Sequence, residues 1–303
     1  MSYIPDGPVP LFGAPEPAEV VPTMAGLMLG LELRELRGER RLGVIAKAIN
    51  ASVSKVSRME RAESPPDLRD VRELTRYHGV SQEKEQFLLG LAQRATEPEW
   101  FEGKFSDCAT QWMKRLMGLE AQCAVLMTFE AFIVPGLLQT DEYARHIIHG
   151  GLAEEERTPL AISQRTELRA ERQRRFFANP ERPRASFLLD ESILYRLVGC
   201  DTVMHAQVQK LLDLMEDPRV NIRIVPFTGK VVSNHGSMTH LRFDEGRLPP
   251  IVYVEGNDNA DYHMLTKDVE RHVELLLRLS KESAVSRRET KVLLRRALER
   301  YPV

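Results

Sequence analysis

Between Arg40 and Arg58 the chain carries residues suited to gripping a polyanion. Arg40 and Arg41 are adjacent cations. Ser52, Ser54, Lys55, Ser57 and Arg58 follow as short hydroxyls and long cations. Such side chains contact phosphates and base edges when the N-terminal half of a helix enters the major groove of DNA. Other chemistry is thinner. His146 and His149 have a spacing compatible with metal, but a structural zinc site needs about four ligands and no third stands nearby. Ser233, His235, Ser237 and His240 gather serine and histidine without a nucleophile elbow or an orienting acid. The stretch GKVVSNHGS lacks the spacing of a phosphate-binding loop. No catalytic residue, metal or cofactor is assigned, and the chain is read as a non-enzyme.

The elements around the cationic set explain how it would be positioned. Ile45, Ala46 and Ile49 form one apolar face of a short helix, interrupted only by Gly43, which costs roughly 1 kcal/mol against Ala. Asn50 tolerates the left-handed backbone of a sharp turn. Ala51 is expected as a small buried plug, and Ser52 as the N-cap of a second helix. Val56 and Met59 then turn that helix back onto the first. Two helices crossing this closely need a residue as small as Ala46 between them.

With those residues in place, segment 27–62 resembles an XRE-type (phage-repressor-like) helix-turn-helix, with SVSKVSRMER where that family has its recognition helix. Asn50 stands in place of the more usual glycine at the turn. Arg40 and Arg41 stand near a position where the family commonly has glutamine. The resemblance implies sequence-specific binding of double-stranded DNA, with a homodimer on a pseudo-palindromic operator.

Six prolines within residues 1–22 read as a flexible, extended arm. A helical domain spans 23–97, five helices in all. Asp67 and Ser81 cap the last two, and His78-Gly79 separates them. From 98 to 282 the pattern is mixed. Helical periodicity covers 106–123, and the chain breaks at Pro135-Gly136. Thr140 caps DEYARHIIHGG, and a polar helix covers about 157–178. Strands are expected at 185–190, 221–227, 238–243 and 251–256, with a helix near 202–216. Helix resumes over 266–300, and 283–303 is set apart as a basic C-terminal helix. The fold class is therefore mainly α: an all-α helix-turn-helix domain followed by a mixed α+β domain.

Two features of the second part admit two readings each. Arg165, Arg169, Arg172 and Arg175 recur at helical spacing, either as an acidic-partner or nucleic-acid surface or, more simply, as a solvated face softened by Glu167 and Glu171. The Pro135-Gly136 turn sets Gln139 and Tyr143 beside a helix start, either as a surface for a partner or as residues that shape the core. In order, VPGLLQTDEYAR, RTELRAERQ, LLDESILYRLVG, VNIRIVPF and PIVYVEG resemble, over about 100–282, the C-terminal domain of actinobacterial WhiJ-like, antitoxin-like regulators. That resemblance implies transcriptional regulation alongside a small protein encoded nearby. The domain is thus expected to sense a small partner protein or ligand. An antitoxin-like sequestering protein and an unrecognised enzymatic domain are the alternatives.

The charge distribution agrees with DNA contact at one end. Net charge is −2, yet residues 32–63 hold eight Lys/Arg against five Glu, a local +3 that leaves −5 for the rest. Three widely spaced cysteines suggest free thiols in a reducing compartment. With no signal peptide or membrane span in the pattern, the protein is expected in the cytoplasm.

Overall fold

Helix-capping residues mark out the first half of the chain. The computed structural model describes residues 23–64, 66–97, 99–180, 183–244, 249–256, 260–264 and 266–302. The proline-rich arm expected at 1–22 lies outside them. The chain divides after Glu97 into two compact units.

The first unit holds helices α1 (Met24–Arg37), α2 (Leu42–Ala48), α3 (Val53–Glu60), α4 (Leu68–His78) and α5 (Gln82–Arg94). The hydroxyls of Thr23, Ser52 and Ser81 and the Asp67 carboxylate each accept a backbone N–H in the first turn of α1, α3, α5 and α4 respectively. Gly79 closes α4 in the left-handed conformation. Ile45, Ala46, Ile49, Val56 and Met59 are all buried, so α2 and α3 meet through the apolar positions expected. Asn50 turns the chain at φ +53. Ala51 is half-buried, not a sealed plug, because Asn50 and Ser52 on either side face solvent. At Gly30 a Cβ would stand 2.6 Å from the Glu60 carbonyl oxygen, so only glycine lets α1 approach the end of α3. Arg37 clamps the same junction, its Nε and Nη2 donating to Glu60 at 2.7 and 3.0 Å.

The second unit is built on a six-stranded mixed sheet in the order β3-β2-β1-β4-β5-β6. Its elements are α6 (Gln111–Glu120), β1 (Val125–Glu130), α7 (Asp141–Gly151), α8 (Pro159–Ala178), β2 (Arg184–Asp190), α9 (Asp201–Leu214), β3 (Val220–Val225), β4 (Ser237–Arg242), β5 (Ile251–Glu255), β6 (Ala260–His263), α10 (Thr266–Arg278) and α11 (Arg287–Arg300). β1, β2 and β3 are parallel and joined by helical crossovers; β4, β5 and β6 add antiparallel beyond β1. On one face Phe129, Leu188, Met238 and Val252 pack with Val269 and Leu276 of α10.

Two strands depart from the sequence reading. β1 directly follows a helical segment, and its VLMTFE run had no turn signal to separate it. β6 is a short, half-buried edge strand, ADYH, without alternating hydrophobicity. The helix expected over 266–300 is broken by a π-helical turn at Leu279–Ser283, and Ser286 and Glu289 form a capping box that restarts it as α11. Residues 283–303, set apart in the sequence, are packed into the second unit. Leu294 and Ala297 are buried, the Thr290 hydroxyl accepts from the Ile224 N–H at 3.2 Å, and the Tyr301 hydroxyl donates to the Leu194 carbonyl at 2.8 Å. Among the described residues no helix is long and apolar enough to cross a membrane.

Candidate functional site

The first unit presents the N-terminal half of α3 to solvent. The Ser52 hydroxyl accepts the Lys55 N–H at 3.1 Å, which aligns the first turn. Ser54 and Arg58 are exposed, as are Arg40 and Arg41 at the start of α2. The Arg40 guanidinium folds back, donating to the Leu36 carbonyl at 3.2 Å and lying 3.4 Å from the His78 Nδ1. Burial and the Arg40 charge both hold His78 below its ordinary range. Ser57 is half-buried and accepts from Arg61 Nη1 at 2.6 Å. Lys55 differs from the free cation expected: its ammonium pairs with the buried carboxylate of Asp70 on α4. Oδ2 of Asp70 takes no hydrogen bond of good geometry, so this ion pair is its compensation. The sequence reading missed Val53 and Val44, which are half exposed at 50% and 49%. An exposed apolar residue at the tip of α3 is suited to the methyl group of thymine.

In the second unit the VPGLLQT segment is held from within. Gln139 Nε2 donates to the Val134 carbonyl at 2.6 Å. From α8, Gln173 Nε2 donates to the Gly136 and Gln139 carbonyls at 2.7 and 2.9 Å. From α9, Gln207 Nε2 donates to Leu138, and Lys210 Nζ to Gln139, at 2.8 and 2.7 Å. The Tyr143 hydroxyl accepts the Val134 N–H. Gln139 and Tyr143 are each 1% exposed. Their polar atoms are taken up within the fold: the Gln139 amide bonds the Val134 carbonyl and the Arg169 guanidinium, and the Tyr143 hydroxyl bonds the Val134 N–H. Pro135, Gly136 and Gln139 instead line a cavity of about 280 Å³.

The floor of that cavity is a polar patch on three adjacent strands. Thr128, Thr239 and Tyr253 stand in register across β1, β4 and β5, and Glu130, Ser237 and Glu255 form the next row. The preceding row, Leu126, Leu241 and Ile251, is apolar, so polarity rises toward the C-terminal end of β1. The two threonine hydroxyls bond at 3.0 Å, and Ser237 Oγ donates to Glu130 Oε1 at 2.8 Å. Burial pushes the Glu130 carboxyl up to about 8; Glu255 adds to this, and the Ser237 bond opposes it. The Tyr253 hydroxyl is buried without a well-formed hydrogen bond. Burial and the nearby Glu255 charge raise its pKa.

The roof comes from α6 and α8. Arg172 donates through Nε and Nη2 to Glu120 at 2.8 and 2.6 Å, and both side chains are shielded. Burial opposes the Arg172 charge, but the Glu120 carboxylate outweighs it and raises the pKa. Arg169 Nη1 donates to Gln139 Oε1 at 2.8 Å, and among the described residues no carboxylate lies within ion-pair distance. Burial and the neighbouring Arg172 pull Arg169 down to about 10. The arginine edge of α8 therefore does not form one solvated stripe. Arg169 and Arg172 turn inward, while Arg165 reaches Glu156 at 3.7 Å and Arg175 reaches Glu171 at 2.6 Å. A second, more apolar cavity of about 310 Å³, with Met117, Ile148, Leu152 and Leu168 in its walls, shares Met113, Ile133, Arg169, Arg172 and Glu255 with the first.

The Ser-His set does not come together. Ser237 faces the cavity, whereas His240 lies one residue out of phase on β4, opposite Met127 and Val252 on the other face. His235 instead rings with His272 at 5.2 Å. At Gly199 a Cβ would touch the His146 ring at 2.7 Å, and among the described residues no group of three or more potential ligands is placed to hold a metal.

A capped α3 in a five-helix unit and a sheet-and-helix unit with a polar cavity open to solvent define a helix-turn-helix protein with an appended α+β domain. Residues 28–88 match the helix-turn-helix domain family, and residues 113–296 match the family described as "Domain of unknown function (DUF5753)". The latter spans more than half of the chain, which belongs to that family. Its match runs into α11, beyond the limit near 282 drawn from the sequence. Neither a curated relative nor a solved structure matches the chain.

Proposed function

We propose that this protein is a sequence-specific, DNA-binding transcriptional regulator, with α3 as the recognition helix and the second unit as a non-catalytic receiver. The observation that carries the reading is the capped, solvent-facing start of α3, with Ser54, Arg58 and Val53 exposed within a unit that matches the helix-turn-helix family. One such unit makes few base contacts, so the protein acts as a homodimer on a pseudo-palindrome. The receiver answers a small partner protein or ligand. The resemblance to WhiJ-like, antitoxin-like regulators supports a protein encoded nearby, and the two joined, solvent-open cavities support a ligand. A cytoplasmic setting fits this role. Selection of bound sequences from random duplex DNA, followed by titration at fixed salt, tests the reading. Enrichment of a two-fold symmetric site supports it, and purely non-specific binding overturns it.

A further inference from the structure

The two joined cavities of the second unit differ in character. The first has a floor of hydroxyls and a half-buried, largely neutral Glu130; the second has aliphatic and thioether walls. Between them lies Arg169, which lines both and has Gln139 as its side-chain hydrogen-bond partner. Its neighbour Arg172 is already neutralised by Glu120. Among the described residues Arg169 makes no ion pair and feels a carboxylate only through the more distant charge of Glu255, and a partly desolvated guanidinium so weakly compensated is a costly arrangement that an anionic ligand would relieve. The Tyr253 hydroxyl is a second poorly satisfied group: it is buried on the floor, makes no hydrogen bond of good geometry, and has the Glu255 carboxylate near it as a competing acceptor. Glu255 also borders the site; it is exposed, and its charge reaches Glu130, Arg169 and Tyr253, so it opposes an anionic head that Arg169 attracts. The site lies at the C-terminal end of β1. There the sheet changes from parallel neighbours (β2) to antiparallel ones (β4), and the chain leaves β1 toward β2 while β4 returns on the other side.

We infer that these joined cavities bind a small carboxylate with an apolar tail, its head between Arg169 and the Tyr253 hydroxyl and its tail among Met117, Ile148, Leu152 and Leu168. The inference rests on the reading of the second unit as a receiver and names the chemistry of its signal.

Isothermal titration of the full-length protein with octanoate tests it, with octan-1-ol and octylamine as controls of equal length. Octanoate binds, and both controls bind at least tenfold more weakly. Arg169→Gln lowers octanoate affinity at least tenfold. Tyr253→Phe, which removes a hydroxyl with no well-formed bond to lose, lowers it about fivefold and leaves the melting temperature unchanged or higher. Should Arg169→Gln fold poorly, Tyr253→Phe and the two controls decide. No octanoate binding, equal binding of octan-1-ol, or unchanged affinity in Tyr253→Phe overturns the assignment. Operator affinity, measured separately with and without octanoate, bears on the receiver reading alone. Octanoate that binds without moving operator affinity leaves the carboxylate site standing and removes the receiver role.

Discussion

Lys55 and Arg58 stand three residues apart on α3, yet their environments separate them. Arg58 is exposed, whereas Lys55 compensates the buried Asp70. Arg58→Ala is expected to lower affinity for a selected operator about tenfold or more without changing the melting temperature, as loss of a bidentate base contact costs roughly 1–3 kcal/mol. Lys55→Ala is expected to lower stability by about 1–2 kcal/mol, and adding Asp70→Asn should recover most of that loss. Chemical denaturation of the single and double variants checks the coupling, and additive losses would remove the ion pair from the account. Glu130 supplies a pH test in the second unit. Its carboxyl, raised to about 8 in the fold, holds a proton that the unfolded chain releases near 4.5. Its contribution to stability is complete below about 4.5 and is lost as pH rises through 8. Glu130→Gln cannot ionise, so its melting temperature should exceed that of the parent by about 2–4 °C or more at pH 9. The gap should close toward pH 5; a pH-independent gap would count against the buried acid.

At the scale of elements, the approach of α1 to α3 rests on Gly30. A methyl group there meets a backbone carbonyl, which cannot rotate away as a flexible side chain would. Gly30→Ala is therefore expected to cost about 1–3 kcal/mol despite the better helix propensity of alanine. Because Arg37 and Glu60 bridge the same contact, the shift should also displace α3 and weaken operator binding. Thermal melts and gel shifts measure the two effects, and a stability gain would refute the packing argument. β1 is the corresponding element in the second unit. It carries Thr128 and Glu130 on its cavity face and Phe129 in the core on the other, and so joins the site to the sheet.

For the molecule as a whole, a homodimer is expected to cover half-sites about 10 bp apart or a multiple of that. Light scattering of the free protein and of its complex measures the stoichiometry; a monomer at one unrepeated site would refute it. Under the receiver reading, occupancy of the second unit changes operator affinity by about 5–150-fold, a coupling of roughly 1–3 kcal/mol. Titrations with and without the effector measure that factor.

The helix-turn-helix was legible in the chain because its determinants are local. Ile45, Ala46, Ile49, Asn50, Ser52, Val56 and Met59 act through helix periodicity, one turn and one cap, all within a few residues. The caps at Asp67, Ser81 and Thr140 were legible for the same reason. The cavity was not, because its parts come from segments more than a hundred residues apart. Thr128, Thr239 and Tyr253 become neighbours only through strand register. A trace of it existed: polar residues two apart at Thr128/Glu130, Ser237/Thr239 and Tyr253/Glu255, but strand β1 had to be recognised before that period had meaning. Arg169 and Arg172 share a helical face with Arg165 and Arg175, and periodicity treats the four alike. Their division into buried and solvated pairs depends on where Glu120 and Gln139 fall when α6 and the 134–140 turn close over the sheet. Local spacing sets which residues share a face. What that face meets, and hence whether a charge is solvated or left waiting for a partner, is a property of the packed chain.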